Sequence, residues 1–260
     1  MSGLFGSPPQ IFDFPCNERV RMMLRLECLG NRLHDLLALP STAAHEAWLG
    51  CHFELYDLLS TRSDVKNELL QELERQRQTL SRFEGKPGVA ADRLERVLHD
   101  LTQTYNQLSD VPMRLGAHLP EYEFLNALKG RTGIPAGSCS FDLPALHVWL
   151  KRPVEDRMAL MTSWLSHVQP IIKASNLGLG YLRDGSEPHE FVASNGTFEM
   201  SPNGRQAKLI RIQVQDAREL TCEVSANKYV VAVRFRQLNG QLGLSPIEGD
   251  LGFQMALCDL

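Results

Sequence analysis

Leu251-Gly252-Phe253-Gln254-Met255-Ala256-Leu257 decides the fold of this chain, because Leu251, Phe253, Met255 and Leu257 fall on one face of a strand. The same period of two holds from about residue 187 onward. It predicts strands near 189–200, 207–216, 219–224, 227–238 and 250–258, with Asn203-Gly204 and Asn239-Gly240 as turn pairs. Upstream of about residue 183 the period is helical. Met22, Leu26, Leu29, Leu33 and Leu36 recur at three- and four-residue steps after Asn17, a plausible N-cap, and Pro40 ends the run. A second helix is expected over 42–59. A third follows Ser63 with Val65, Leu69, Leu73, Gln76 and Leu80 on one face. Gly85-Lys86-Pro87-Gly88 breaks it, and a fourth carries Leu94, Val97, Leu98, Leu101, Tyr105 and Leu108. These two stripes suit either a core or a dimer interface. Pro120 opens a short fifth helix closed by Gly130, 138–141 reads as extended, and further helices run through 143–152, 155–167 and 169–182.

Ile11-Phe12-Asp13-Phe14-Pro15 is too short for a helix and puts Phe12 and Phe14 on one strand face. Such a strand needs a distant partner, so it is expected to join the C-terminal sheet, while residues 1–9 read as a frayed tail. The fold class is α+β: a helical domain at 16–133, expected to dimerise, and a mixed domain of 10–15 with 134–260. The latter combines connecting helices with a small antiparallel, sandwich-like sheet.

A chain of 260 residues, 43% hydrophobic and 22% charged, is ordinary globular protein that needs no staple to hold a core. Its net charge of -4 argues against a general nucleic-acid coat. Six cysteines at irregular spacing, with no C-x-x-C, no secretory leader and no membrane-length apolar run, read as reduced and mostly buried thiols in the cytoplasm.

Signs of catalysis are absent from the sequence. His45 and His52 are seven apart, not the four that H-E-x-x-H requires, and read as core or surface histidines. Gly178-Leu179-Gly180 follows a helix and lacks the third glycine of a dinucleotide loop. Cys139 with His147 is the one conceivable nucleophile and base, without local support. No cofactor, metal or enzymatic activity is expected.

Charge placement says more. Arg21, Arg25 and Arg32 lie at helical angles of about 0°, 40° and 20°, a narrow basic stripe that also suits a solvated flank neutralising nearby carboxylates. Residues 205–236 hold seven Lys/Arg, Arg218 among them, against three acids. Strand period turns Ile210, Ile212 and Val214 one way and Arg211 the other. It turns Tyr229, Val231, Val233 and Phe235 inward, with Lys228, Arg234 and Arg236 outward. Two strands thus present a basic face without an acid, suited to an acidic peptide. A nucleic-acid adaptor using that face is the alternative, disfavoured by the net charge and by the lack of interleaved aromatics. A Cys139/His147 hydrolase comes last.

Specific runs carry a family resemblance. Phe14-Pro15-Cys16-Asn17-Glu18-Arg19-Val20-Arg21-Met22-Met23-Leu24-Arg25-Leu26-Glu27, Glu68 to Gln76 with Pro87-Gly88-Val89, and above all Ile134-Pro135-Ala136-Gly137-Ser138-Cys139-Ser140-Phe141-Asp142-Leu143-Pro144-Ala145-Leu146-His147-Val148-Trp149-Leu150 resemble the ZapD family of Z-ring-associated bacterial cell division proteins. Ala232-Val233-Arg234-Phe235 and the ending through Cys258 match as well, so the resemblance spans nearly the whole chain. It implies a cytoplasmic, mid-cell homodimer of a helical and a β domain. It also implies binding of the FtsZ C-terminal tail through a basic groove, and bundling of FtsZ protofilaments. Carried over by motif, the groove residues are Arg25, His147 and Arg234, with Arg21 and Arg211 at neighbouring basic positions. Arg236 is added on strand period alone. Glu123, Val230 and Asp250 stand where the family carries basic residues.

Overall fold

The computed structural model describes residues 9–61, 64–112, 122–131, 133–215 and 219–260. In order, the elements are β1 (Gln10–Pro15), α1 (Glu18–Leu37), α2 (Thr42–Thr61), α3 (Val65–Ser81), α4 (Ala91–Ser109), α5 (Glu123–Lys129), α6 (Pro144–Leu150), α7 (Val154–Ser166), α8 (Gln169–Asp184), β2 (His189–Ser194), β3 (Thr197–Met200), β4 (Leu209–Val214), β5 (Leu220–Ala226), β6 (Val231–Leu238), β7 (Leu244–Pro246) and β8 (Asp250–Cys258). The α+β reading holds. Two compact units divide at Met22/Met23 and Gly178/Leu179, where the sequence reading drew its limits at 15/16 and 133/134. Residues 1–8 of the tail expected at 1–9, the helix start at Pro120, and Asp216 and Arg218 of the basic run lie outside the described residues.

In the helical unit, α2 begins where Ser41 Oγ accepts from the Ala44 N–H at 3.1 Å, a side-chain N-cap. The stripes of α3 and α4 pack on each other within the chain: Leu69, Leu73, Gln76, Leu101 and Leu108 are buried, and Leu94, Val97 and Leu98 half-buried. Buried Lys66 donates to the carbonyls of Ser109 and Val111, satisfying acceptors left open at the end of α4. An aromatic cluster fills the centre. Trp48 stacks on His52 at 4.9 Å, and Trp164 lies 6.4 Å from Trp48 and 6.1 Å from Trp149. His45 and His52 are therefore core residues.

Burial, then the Arg157 guanidinium, pushes the His45 imidazole below the ordinary histidine range, against a smaller pull from Leu39. The unfolded chain takes up that proton near pH 6.5 and the fold only at lower pH. The unfolded state therefore binds more protons, and stability falls as pH drops through about 6.5 toward the folded value. We expect the urea midpoint to fall between pH 7 and 5, and His45→Phe to have a shallower profile. Parallel profiles would refute this coupling.

The sheet unit contains one eight-stranded antiparallel sheet in the order β1-β4-β8-β2-β3-β6-β5, with β7 also on β6. As the sequence required, the N-terminal strand pairs far away in the chain, Phe12 with Ile212 and Phe14 with Ile210. Asn17 Oδ1 caps α1 by accepting from the Val20 N–H at 2.8 Å. β6 and β8 are separated by two strands, so a flat sheet would hold them about 14 Å apart. Yet the Phe235 and Phe253 rings stand 5.1 Å apart at 62°. The sheet is strongly curled and nearly closed, barrel-like, around Ile210, Ile212, Val231, Val233, Phe253 and Met255.

Several local expectations change. The run 189–200 is two strands joined by Asn195-Gly196, with φ of 49° and 73°, the left-handed pair that a tight hairpin needs. Gly196 is required there for a second reason: a Cβ would lie 2.8 Å from the Phe235 carbonyl. Residues 139–143 form a turn, not a strand, because the Asp142 and Leu143 N–H groups both donate to the Cys139 carbonyl. Tyr229, expected inward, precedes β6 in a turn and is 71% exposed beside Lys228. All six cysteines are free, but only Cys51 and Cys258 are buried. Among the described residues no helix is long and apolar enough to cross a membrane.

Candidate functional site

On the sheet unit, Arg234 and Arg236 are two apart on β6 and share its outer face, opposite Val233 and Phe235. Arg234 pairs in register with Thr197 of β3, and Arg236 with Pro246 of β7. β3 begins at the Asn195-Gly196 turn, so its pairing with β6 reaches only Arg234 and β7 takes over from Arg236, leaving a cleft of about 330 Å³ lined by Asn195, Thr197, Leu244, Pro246 and both arginines. Arg234 is exposed, and among the described residues no carboxylate forms an ion pair with it.

The expected basic face is smaller than its sequence suggested. β4 and β6 are separated by β8, β2 and β3, so Arg211 is not beside Arg234. Period tells which face a residue takes, not which strand lies next to it. Nor is the outer face free of acids: Glu223 stands opposite Arg234, and Glu199 lies exposed on β3. Arg211 instead donates to Asp13, which also accepts from Arg183 Nε at 3.0 Å.

The arginines of α1 differ in the same way. Arg21 pairs with Glu18 one turn back. Arg32 lies 3.5 Å from Glu54, so these two fit the solvated-flank reading. Arg25 is exposed and has no ion-pair partner among the described residues. In the helical unit, His147 lies on α6, exposed, between buried Leu146 and Trp149 of the same helix. Its ring makes no side-chain hydrogen bond among the described residues. Before it, the Ile134–Leu143 loop is held by Arg131 Nη1 donating to Asp142 Oδ1 at 2.9 Å. Gly137 seats on the Arg131 carbonyl, where a Cβ would come within 2.8 Å.

Three thiols are held protonated. Burial, then Glu223, pushes Cys222 up to about 12; burial leads the shifts of Cys51 and Cys258, each up to about 11. Cys139 is half-exposed in the turn before α6, and no hydrogen bond joins it to His147 among the described residues. Nor, among those residues, do His, Cys, Asp and Glu gather in a metal-holding group.

Sequence reasoning missed Asn195, Thr197, Leu244 and Pro246 of the cleft. The Asn195-Gly196 pair was the available signal for its turn.

Fold and surface together define a two-unit α+β protein, helical and barrel-like, with solvent-facing cations on each unit. The chain belongs to the ZapD family of cell division proteins, whose model matches residues 24–234. It is 38% identical to the cell division protein ZapD of Chromobacterium violaceum over 248 residues, 95% of this chain and 98% of that one. Identity is 36% to the protein of that name from Nitrosomonas eutropha, over 96% of this chain and 99% of the relative. It is 34% to that of Janthinobacterium sp. (strain Marseille), over 95% and 98%. These relatives carry the name of a cell division protein and not of an enzyme.

Proposed function

We propose that this chain is a cytoplasmic division factor that binds the C-terminal tail of FtsZ at the mid-cell Z-ring and, as a homodimer, cross-links FtsZ protofilaments. The observation that carries the reading is selective exposure. Arg25, His147 and Arg234, the three positions matched by family motif, are all exposed and make no ion pair among the described residues. Arg21 and Arg211, at the neighbouring motif positions, have their charge already offset by Glu18 and Asp13. Arg236 adds a second guanidinium to the cleft beside Arg234.

Each guanidinium or imidazole N–H donating to a tail carboxylate contributes about 1.5–3 kcal/mol. Three or four such contacts, less the ordering of a flexible peptide, give roughly micromolar affinity. A single tail site cannot bundle filaments. A twofold dimer has two, and repeated attachment raises avidity about 10²–10⁴-fold. Binding weakens with salt, because exposed charges are screened beyond about 8 Å at physiological ionic strength.

Arg25→Glu and Arg234→Glu are each expected to weaken tail-peptide binding at least about tenfold, and to abolish co-sedimentation with FtsZ filaments at moderate salt. Titration of the folded variants checks this, and unchanged binding removes that cation from the site. A double-mutant cycle between Arg25→Ala and Arg234→Ala tests whether both cations act on one peptide.

A further inference from the structure

The most exposed large apolar side chain among the described residues is Phe141, at 81%. It lies in the turn leading into α6, and hydrogen bonds and an ion pair brace that turn. Arg131 holds Asp142, the Leu143 N–H donates to the Cys139 carbonyl at 2.8 Å, and Ala136 takes a φ of 55°. Below it Leu143, Leu146 and Trp149 are buried. A braced turn that holds a phenyl ring in water forgoes its burial, which the unbound protein gives no reason for.

The face of α6 continues the pattern. Setting Pro144 at 0°, Val148 falls at about 40°, Lys151 at about -20° and His147 at about -60°, opposite Leu146 and Trp149. Val148 is 62% exposed, and His147 and Lys151 are exposed as well. Neither Val148 nor Phe141 has an apolar cover among the described residues. The helix therefore offers an apolar strip with Lys151 and the His147 ring along one side.

The geometry points to a mixed docking face, Phe141, Pro144 and Val148 flanked by His147 and Lys151, for an acidic peptide that carries a large apolar side chain close to its carboxylates. Charge complementarity selects the occupant: the exposed Lys151 ammonium beside the strip, with the exposed His147 ring next to it, favours an acidic segment over a neutral apolar one. The inference rests on the tail-binding reading and deepens it, because it adds an apolar anchor to a contact otherwise built from charge. Tail recognition then has two separable parts, a salt-sensitive one at the cations and a salt-insensitive one at Phe141.

The test titrates the FtsZ C-terminal tail peptide, and the same peptide with its large apolar residues replaced by serine, against the full-length protein. Phe141→Ser and Val148→Ser are the variants; both sites are exposed, so folding is expected to be retained and is checked by circular dichroism. Phe141→Ser is expected to weaken the native peptide about tenfold with an unchanged salt slope, and Val148→Ser about threefold. The serine peptide should bind wild type and Phe141→Ser equally. Native-peptide affinity unchanged in a folded Phe141→Ser protein overturns the apolar anchor and leaves the cationic reading standing. Conversion of Phe141→Ser to a smaller species in sedimentation overturns it too, assigning the strip to a second copy of the chain. Failure of the wild type to bind the native peptide is a different result, which removes the tail-binding reading and this inference with it.

Discussion

Phe253→Ala is expected to cost about 3–5 kcal/mol of stability, the range for truncating a large aromatic in a core that cannot collapse around the void. Phe253 is 4% exposed, and its ring meets Phe191 at 5.8 Å, Phe198 at 5.3 Å and Phe235 at 5.1 Å. Two of those contacts are edge-on, at 77° and 62°, the favoured orientation for aromatic quadrupoles. Those rings come from β2, β3 and β6, so removing Phe253 withdraws the side chain around which the sheet curls. Backbone pairing of β2 with β8 persists and prevents the strands from moving in. Phe253→Leu keeps most of the volume and is expected to cost about 1–1.5 kcal/mol. Urea unfolding followed by far-ultraviolet circular dichroism measures both variants. Trp48, Trp149 and Trp164 all lie in the helical unit, so tryptophan fluorescence reads that unit separately. A loss under about 1 kcal/mol for Phe253→Ala contradicts a sheet closed on this ring.

That ring cluster also marks the limit of what the sequence discloses. Alternation assigned Phe253 and Met255 to the inner face, and the isolated strand at Ile11 had to find a sheet. Helix caps, stripes and breaks located the helices because each is a local property of neighbouring residues. Curvature and strand order are not local. Nothing in the alternation of β4 and β6 says that three strands intervene, so Arg211 and Arg234 looked like one basic face although they are far apart in the sheet. Tyr229 fitted the period and still lies outside the strand, because Asn227 Oδ1 accepts from the Tyr229 and Val230 N–H groups and holds a turn there. For the candidate site, the motif positions were readable. Which of their charges remain available was only partly so: Glu18 offsets Arg21 one helical turn away, a local spacing, whereas Asp13 reaches Arg211 through a contact that only the folded chain defines.

Asp13 provides the sharpest test of that cancellation. Its carboxylate is 15% exposed and sits between two guanidiniums, Arg183 at 2.7 Å and Arg211 at 3.3 Å, whose side chains are 19% and 28% exposed. Breaking a fully buried pair costs about 3–5 kcal/mol, because the surviving charge is left without water or partner. Here two neighbouring guanidiniums lose the carboxylate they share and repel each other, but both keep some contact with solvent, so Asp13→Ala is expected to cost about 2–3 kcal/mol. Asp13→Asn retains the shape and one acceptor and should recover less than half of that, if charge is the larger part. Arg211→Gln is expected to cost less than Asp13→Ala, because Arg183 still holds the carboxylate. Arg211→Gln is also expected to leave FtsZ tail binding within about twofold, whereas Arg234→Glu weakens it strongly. Measuring stability and peptide affinity on the same four variants separates the roles. A large affinity loss in a stable Arg211→Gln protein would return Arg211 to the binding surface. A negligible stability loss in Asp13→Ala would show that its two ion pairs do not hold β1 to the sheet.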